Sequence, residues 1–184
     1  MSDIIEIIQS RRSIRSYKPD QISQESLEKI IKAGIYAPSA HNQQSWHFTV
    51  IQNPQVLDRI NIAARASMLE AADGWVRRMA ENPSFRVTYD APTLIIVSGR
   101  QDALAWSTDC SAAIQNMLLA AESLGIGSVW LGLMRYYFSR VEEVEKLNIP
   151  DGYKPFYGVA FGYKSGDVSL PVPKRNTEVV SYIR

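Results

Sequence analysis

Three arginines lie within five residues near the start of the chain, in the segment Arg11-Arg12-Ser13-Ile14-Arg15. Guanidinium groups form charge-assisted, often bidentate hydrogen bonds to phosphate oxygens, and a neighbouring hydroxyl can add another. The segment could therefore bind a phosphate group. It also follows directly on a helical pattern, so it could instead be a solvated basic end that complements the dipole of the helix C-terminus. On its own, the cluster favours this second interpretation.

A second polar segment, from Ala37 to Phe48, carries several amide and hydroxyl side chains and an imidazole between a predicted helix and a predicted strand. Groups of this kind need hydrogen-bond partners, which solvent or a polar ligand can supply. The segment is thus either a hydrated surface turn or part of a binding site. Its aromatic residues, Trp46 and Phe48, are expected to belong to the core.

Two further residues with reactive side chains favour structural roles. Cys110 is the single cysteine, which excludes an intrachain disulfide and any iron–sulfur or zinc cluster built from several thiolates. It lies in an alanine-rich helical pattern and is expected to be a small core residue rather than a redox thiol. His47 lies between two aromatic residues on a predicted strand, where a structural hydrogen bond is expected.

The composition indicates an ordinary globular protein. The 184 residues are 46% hydrophobic and 21% charged, a length that fits one domain spanning residues 1–184 with a core that needs no disulfide or metal. Lys plus Arg number 20 against 19 for Asp plus Glu, so neither nucleic acid nor membrane is expected as the main partner. The sequence has no apolar run of about 18 residues, and residues 1–12 do not resemble a secretion signal. We therefore expect a cytoplasmic protein.

Hydrophobic periodicity and helix-capping signals predict an alternation of helices and strands. Several connections between strands hold two helices, and neither a G-x-G-x-x-G nor a Walker pattern is present, so a Rossmann winding is not required. Ser23 should cap one helix, with Ile22 packing onto Leu27, and Ser139 with Glu142 should form a capping box. The first helix should bury one face made of isoleucines: Ile4, Ile5, Ile7 and Ile8. The predicted helices cover residues 3–9, 23–36, 55–64, 67–80, 109–124 and 139–147; the predicted strands cover residues 47–51, 93–98, 128–131, 156–163 and 178–183.

The two polar segments together resemble the FMN-dependent nitroreductase family. That family carries an Arg-Arg-Ser-x-Arg type motif after its first helix, and about two dozen residues later an Ala-Pro-Ser-x-x-Asn-x-Gln-Pro-Trp-x-Phe motif. Here these are Arg11 to Arg15 and Ala37 to Phe48, with Ser45 in place of the family proline. The resemblance continues through four later segments: residues 90–98, residues 109–130, Ile149-Pro150 with Gly158 to Gly162, and Pro173-Lys174-Arg175.

The resemblance implies an α+β fold: a three-layer α/β/α sandwich with a mixed, mostly antiparallel central sheet and a C-terminal strand exchanged with the dimer partner. It also implies FMN as cofactor, a homodimer, and NADH or NADPH as electron donor. In such a protein the flavin carries the hydride chemistry, so no catalytic side chain and no metal is expected.

The family's cofactor-binding residues can be carried over to matching positions. Arg11, Arg12, Ser13 and Arg15 would bind the FMN phosphate and ribityl chain, and Lys174 and Arg175 would reach the phosphate from late in the chain. Pro38, Ser39, Ala40 and Asn42 would line the flavin ring of the partner subunit. Val129, Trp130, Leu131 and Gly132 would run under the isoalloxazine, with Gln115 as a further candidate from the central helix. His41 is the candidate for contact with substrate.

The function implied is ping-pong reduction of a small-molecule acceptor, usually a nitroaromatic compound or a quinone. Two alternatives stay open: an FMN-binding redox sensor or storage module, and a family offshoot with other flavin chemistry, such as a dehalogenase, an ene-reductase or a flavin destructase. Residues 75–78 and Tyr89 fall where the family shapes its substrate entrance. The pair Arg77-Arg78 could attract an acidic ligand there, but a solvated helix face is favoured. Residues 136–138 could be dimer contacts or a lid.

Overall fold

A computed structural model describes residues 3–166 and 172–184, and these form a four-stranded sheet covered by helices on both faces. The helices are α1 (Ile4–Ser10), α2 (Gln24–Ile35), α3 (Pro54–Leu69), α4 (Gly74–Glu81), α5 (Trp106–Ser123), α6 (Arg135–Phe138) and α7 (Val141–Val144). The strands are β1 (Trp46–Ile51), β2 (Thr93–Arg100), β3 (Ile126–Leu131) and β4 (Tyr153–Tyr163). Short 3₁₀ turns occur at Ala40–Asn42, Gly132–Met134 and Glu145–Leu147.

The sheet has the order β1-β2-β4-β3, and each of these neighbouring pairs is antiparallel. The parallel component is a single bridge between Ser13 and Ser128, which attaches the segment after α1 to β3. The long β4 therefore lies inside the sheet, between β2 and β3. The predicted α+β class is confirmed, and the mixed character of the sheet is limited to that bridge among the described residues.

The middle parts of the two central strands, residues 94–97 of β2 and residues 158–161 of β4, carry no polar side chain, because both of their faces are buried. In β2, Ile95 and Val97 pack into the cluster formed with α2 and α5, whereas Leu94 and Ile96 pack into the opposite cluster with α3 and α6. Side chains alternate between faces along a strand, so one uninterrupted hydrophobic run supplies both layers. This is the predicted three-layer α/β/α sandwich.

Helix boundaries follow the predicted capping residues in some places and not in others. Ser23 caps α2 through a hydrogen bond from the Ser26 backbone N–H, and Ile22 and Leu27 are both buried in the same cluster, as predicted. The predicted break near residues 65–66 is wrong. Helix α3 continues to Leu69 because no helix breaker interrupts it, and α4 begins only where the Asp73 side chain caps its first turn.

Two predictions near the ends of elements are also wrong. The Ser139–Glu142 capping box does not form, because the Ser139 hydroxyl donates instead to the Tyr136 carbonyl, at the end of α6. Helix α1 buries no residue completely: Ile4, Ile5 and Ile8 are 56%, 52% and 48% exposed. The isoleucine face predicted to be buried is thus left open by the chain's own packing.

The predicted strand at residues 178–183 does not join the sheet of its own chain. Residues 172–184, including Lys174 and Arg175, are exposed and have no strand pairing within the described part of the chain. Exchange of this segment with a partner remains a prediction. In the part of the chain that the structure describes, no helix combines the length and hydropathy needed to cross a bilayer.

Candidate functional site

The arginine segment is fixed against the edge of the sheet. The Ile14 backbone N–H donates to the Ser128 carbonyl at 3.0 Å, and the Lys18 N–H donates to the Tyr163 carbonyl at 2.9 Å. Ile14 is only 2% exposed, so its side chain anchors the middle of the segment in the protein. These contacts place Arg15 beside the end of β3.

A cleft of about 490 Å³ opens at this point. Arg15 and residues 130–133 line it together with aromatic and apolar side chains of α4, the segment before β2, and β4. The complete lining is Arg15, Trp75, Met79, Val87, Tyr89, Trp130, Leu131, Gly132, Leu133, Arg135 and Tyr157. The cleft thus brings Arg15 of the arginine segment together with the predicted flavin-facing strand, which lies more than 100 residues later in the sequence.

The arginines of the segment have different roles in the fold. The Arg12 Nη1 donates to the carbonyls of Gln9, Ser10 and Arg11 at 2.7, 3.0 and 2.9 Å, so this side chain satisfies the open end of α1. That is the helix-end role that the sequence alone favoured. Arg15 lines the cleft, and its guanidinium lies 5.7 Å from the centre of the Tyr89 ring, within the range of a cation–π interaction.

The Tyr17 side chain holds the arginine segment through a hydrogen bond to its backbone. Its hydroxyl donates to the Ile14 carbonyl at 2.6 Å, and burial raises the pKa of this phenol well above its usual value. The phenol therefore stays protonated as a donor at any physiological pH. Tyr17 was not among the predicted site residues, although its spacing of three residues from Ile14 was a signal in the sequence.

The end of β3 forms the floor of the cleft. Val129 is buried beneath the surface, whereas Trp130, Leu131 and Gly132 line the cleft. The Trp130 ring packs edge-on against Tyr157 with centroids 5.2 Å apart. A Cβ added to Gly132 would meet no described atom within 4 Å, so the backbone of this residue borders open space. A flat ligand could approach the backbone here.

The second polar segment is a tightly folded loop. His41, Asn42 and Gln44 have φ values of 49°, 55° and 46°, a left-handed conformation that non-glycine residues seldom adopt. The Ser39 hydroxyl accepts from the Gln44 N–H at 3.0 Å, and the Asn42 Oδ1 accepts from the Gln44 side chain at 3.2 Å. The loop is thus held in one shape by its own hydrogen bonds.

A buried carboxylate ties this loop to α5. Asp109 is 3% exposed and accepts hydrogen bonds from the Ala40 backbone N–H at 3.1 Å and from the Ser45 hydroxyl at 2.9 Å. Ser45 occupies the position where the family motif has proline, and it is fully buried. This pair could not be predicted from a local motif, because the two residues lie 64 positions apart.

Several predicted site residues do not reach the cleft of their own chain. The loop residues Pro38, Ser39, Ala40, His41 and Asn42 are absent from its lining, as are Gln115 on the exposed side of α5 and the exposed Lys174 and Arg175. Arg11, Arg12 and Ser13 of the arginine segment are absent from it as well. For the loop, the predicted contacts are with the flavin of a partner subunit. Those contacts, and the roles of Gln115, Lys174 and Arg175, remain predictions.

Other reactive groups lie away from the cleft. Cys110 is fully buried, as predicted, and burial raises the pKa of its thiol to about 12. His47 is half-buried and contacts the Tyr153 ring edge-on, with centroids 5.7 Å apart. No group of three or more potential metal ligands occurs among the described residues.

A second cavity of about 420 Å³ lies between the start of α3 and the segment before β2. Its charged and polar side chains are largely paired with one another: Arg86 bridges to Asp58 at 2.7 Å and to Asp90 at 3.4 Å, and Asn61 bonds Thr88 at 2.9 Å. It contains none of the predicted site residues. The 490 Å³ cleft is therefore the candidate active site.

Residues 8–163 match the sequence model described as Nitroreductase family. The chain is 39% identical, over 89% of its length and 86% of the other's, to a protein of Archaeoglobus fulgidus that carries the provisional name NADH dehydrogenase/NAD(P)H nitroreductase. A nitroreductase with bound FMN from Bacteroides fragilis has the same fold, with a TM-score of 0.92, 32% identity and full coverage of both chains. A second FMN-bound nitroreductase, from Desulfitobacterium hafniense, gives a TM-score of 0.89 and 28% identity, again over both whole chains. The chain belongs to the nitroreductase family.

Proposed function

We propose that this chain, an NAD(P)H-dependent FMN oxidoreductase of the nitroreductase family, reduces nitroaromatic compounds or quinones at a cleft shared between two subunits. Donor and acceptor would occupy the cleft in turn, in a ping-pong mechanism. The observation that carries the proposal is the cleft itself. It brings Arg15, the end of β3 and four aromatic rings around one space.

The cleft suits an FMN molecule in size and chemistry. Its volume of about 490 Å³ lies within the roughly 300–1,000 Å³ typical of small-molecule sites. Gly132 leaves the backbone open to a flat ring, and Arg15 offers a cation. The described residues that line the cleft include no Asp or Glu, so no carboxylate there would repel an anionic group.

The bound flavin would supply the hydride chemistry, and the protein would position it and its partners. Arg11 and Ser13 would bind the phosphate and ribityl chain. The Arg12 Nε is buried with no hydrogen-bond partner among the described residues, so a bound anion would satisfy it while Nη1 stays on the helix. Arg15 would stabilise negative charge on the ring system.

A homodimer is proposed because the chain leaves two apolar surfaces open. One is the isoleucine face of α1 with Ile35 and Tyr36, which are 45% and 73% exposed. The other is the C-terminal segment, where Val179, Val180 and Ile183 are each more than 60% exposed. A second copy could bury both, and it would bring the loop of residues 38–42 to the partner's cleft.

The test is the visible absorbance spectrum of the purified protein before and after anaerobic NADH or NADPH. Flavin bands that bleach on addition of either nucleotide would support the reductase. Bands that persist would instead favour a sensor or storage module, and turnover of other acceptors would point to an offshoot with different flavin chemistry. No flavin, even after incubation with FMN, would contradict the assignment of the cleft.

A further inference from the structure

The cleft contains two guanidinium groups, and the proposed cofactor site accounts for one of them. Arg15 belongs to the arginine segment assigned to FMN. Arg135 lines the same cleft from α6, beyond the Gly132–Met134 turn that follows β3. It does not belong to any of the motifs assigned to the cofactor. Its role is therefore open.

Arg135 is an exposed side chain on a backbone that its neighbours anchor. Met134 and Tyr137 are both fully buried, so the backbone on each side is anchored in the core. The Arg135 Nη2 donates to the Tyr136 hydroxyl at 3.1 Å, and the guanidinium lies 4.9 Å from the centre of the Tyr136 ring. Tyr136 in turn packs on the cluster of Met68, Val76 and Ala80 that joins α3 to α4. The contact with Tyr136 thus orients the exposed guanidinium at the cleft.

The charge of Arg135 is not neutralised by a nearby acid. Among the described residues, no carboxylate lies within 4 Å of its guanidinium. An arginine has five N–H donors, and the hydrogen bond to Tyr136 uses one. Arg135 can therefore still bind a carboxylate or similar anion in the bidentate geometry that arginine favours.

The neighbouring basic pair, Arg77 and Arg78, is not a second candidate for binding an anion in the cleft. Arg77 and Arg78 are exposed on α4 and absent from the lining of the cleft, and the Arg77 Nη2 donates to the Ala71 carbonyl at 3.0 Å. They form the solvated helix face that the sequence favoured. By contrast, Trp75 and Met79 of the same helix do line the cleft and place apolar surface beside Arg135.

We propose that Arg135 binds the anionic group of the electron acceptor, so that the enzyme prefers flat aromatic acceptors that carry a carboxylate. The aromatic part would lie against Trp75 and Tyr89, and the carboxylate would bond the guanidinium. This inference rests on the proposed reductase function and deepens it by naming the substrate class. The phosphates of the nicotinamide nucleotide are a second source of negative charge, and the experiment separates the two.

The experiment compares 4-nitrobenzoate with its neutral analogue 4-nitrobenzamide as acceptors for the FMN-loaded protein. In the wild type, kcat/KM is expected to be higher for the anion. Arg135→Gln should lower kcat/KM for 4-nitrobenzoate by about 10-fold or more, the effect of losing a charge-assisted hydrogen bond, and change that for 4-nitrobenzamide less than about 2-fold. Arg135→Lys should recover part of the loss, because it keeps the charge without the planar fork.

Binding gives a readout that does not need turnover. The Kd of benzoate, measured by calorimetry on the oxidised holoprotein, should weaken about 10-fold in Arg135→Gln, whereas any binding of benzamide should not change. Arg78→Gln is the matched control, because it removes the same charge from a residue outside the cleft. It should leave both the acceptor preference and the benzoate Kd as in the wild type.

Three outcomes would overturn the inference while leaving the reductase in place. Equal losses with both acceptors would mean that Arg135 has no role specific to an anion. A raised KM for NADH or NADPH with unchanged acceptor preference would assign Arg135 to the nucleotide phosphates. Loss of FMN from Arg135→Gln would assign it to the cofactor. Failure of the wild type itself to bind FMN or oxidise NAD(P)H would refute the proposed function, and the inference with it.

Discussion

The substitution Asp109→Ala tests whether one buried carboxylate holds the polar loop in shape. It removes the acceptors of two hydrogen bonds, from the Ala40 N–H and the Ser45 hydroxyl, and Ser45 is fully buried. A hydrogen bond to a charged group contributes about 1.5–3 kcal/mol, and relief of the buried charge offsets part of the loss. We expect a net loss of about 3 kcal/mol in the free energy of unfolding.

A loss of this size should be clear in thermal unfolding. For a domain of 150–250 residues, about 1 kcal/mol lowers Tm by roughly 2–4 °C, so Asp109→Ala should unfold about 6–12 °C below the wild type. Asp109→Asn is the matched comparison. Its Oδ1 can still accept from Ala40, and its amide can donate to the Ser45 oxygen, so the loss should be about 1 kcal/mol and about 2–4 °C.

The assay is circular dichroism melting of both variants without added FMN, followed by measurement of the FMN retained after gel filtration. If the loop faces the partner's cofactor, Asp109→Ala should also retain less FMN than Asp109→Asn. The reasoning is refuted if Asp109→Ala melts within about 2 °C of the wild type, since the two hydrogen bonds would then contribute nothing measurable.

Four further predictions address the cleft and the core. Gly132→Val should weaken FMN binding, measured by fluorescence titration, by at least about 10-fold, because the new side chain would occupy the space of the cleft. The Tm of the apoprotein should change by less than about 2 °C, because the side chain would not enter the core. Gly99→Ala should cost about 1–3 kcal/mol in urea unfolding, because its Cβ would lie 2.3 Å from the Trp106 ring; an unchanged midpoint would contradict this packing. Arg11→Ala should purify with much less FMN than the wild type, and full retention in the absorbance spectrum would exclude the phosphate role. Burial raises the pKa of the Cys110 thiol to about 12 from an ordinary 9.0. The stability that the buried neutral thiol contributes is therefore complete below about pH 9 and is lost as the pH rises toward 12. Between pH 8 and about 10.5, the free energy of unfolding measured in urea should fall more steeply in the wild type than in Cys110→Ala.

Local signals in the sequence were sufficient for much of the fold. Ser23 caps α2 and Ile22 packs beside Leu27 because both interactions span only a few residues. Residues 93–98 were predicted correctly as a buried strand because the run is short, apolar and rich in β-branched residues. The Ser139–Glu142 motif is equally local, yet the Ser139 hydroxyl donates its hydrogen bond to the Tyr136 carbonyl instead. Short motifs therefore fail where a nearby turn offers a competing partner.

Site residues could be predicted where they lie within a sequence motif. They could not be predicted where the site depends on contacts between segments far apart in the sequence. Arg15 and residues 130–132 were named from the family motifs, and they line one cleft. Asp109, Tyr17 and Arg135 were not singled out, because their importance depends on contacts with other parts of the chain or on which space they face. The exposed isoleucines of α1 have a different cause, since a single chain cannot show what a second copy would bury.

The floor of the cleft and its wall on α4 rest on different parts of the core, because α4 packs on the small cluster of Met68, Val76 and Ala80. The floor of the cleft is the end of β3, a strand that pairs with β4 and also bridges to Ser13 of the arginine segment. Helix α4 instead packs on this smaller cluster, which touches the cluster on one face of the sheet through Phe85 and Leu133. We therefore expect substitutions at Trp75 or Met79 to change the surface of the cleft with less effect on the sheet than substitutions in β3. For protein engineering, α4 is the element to randomise first.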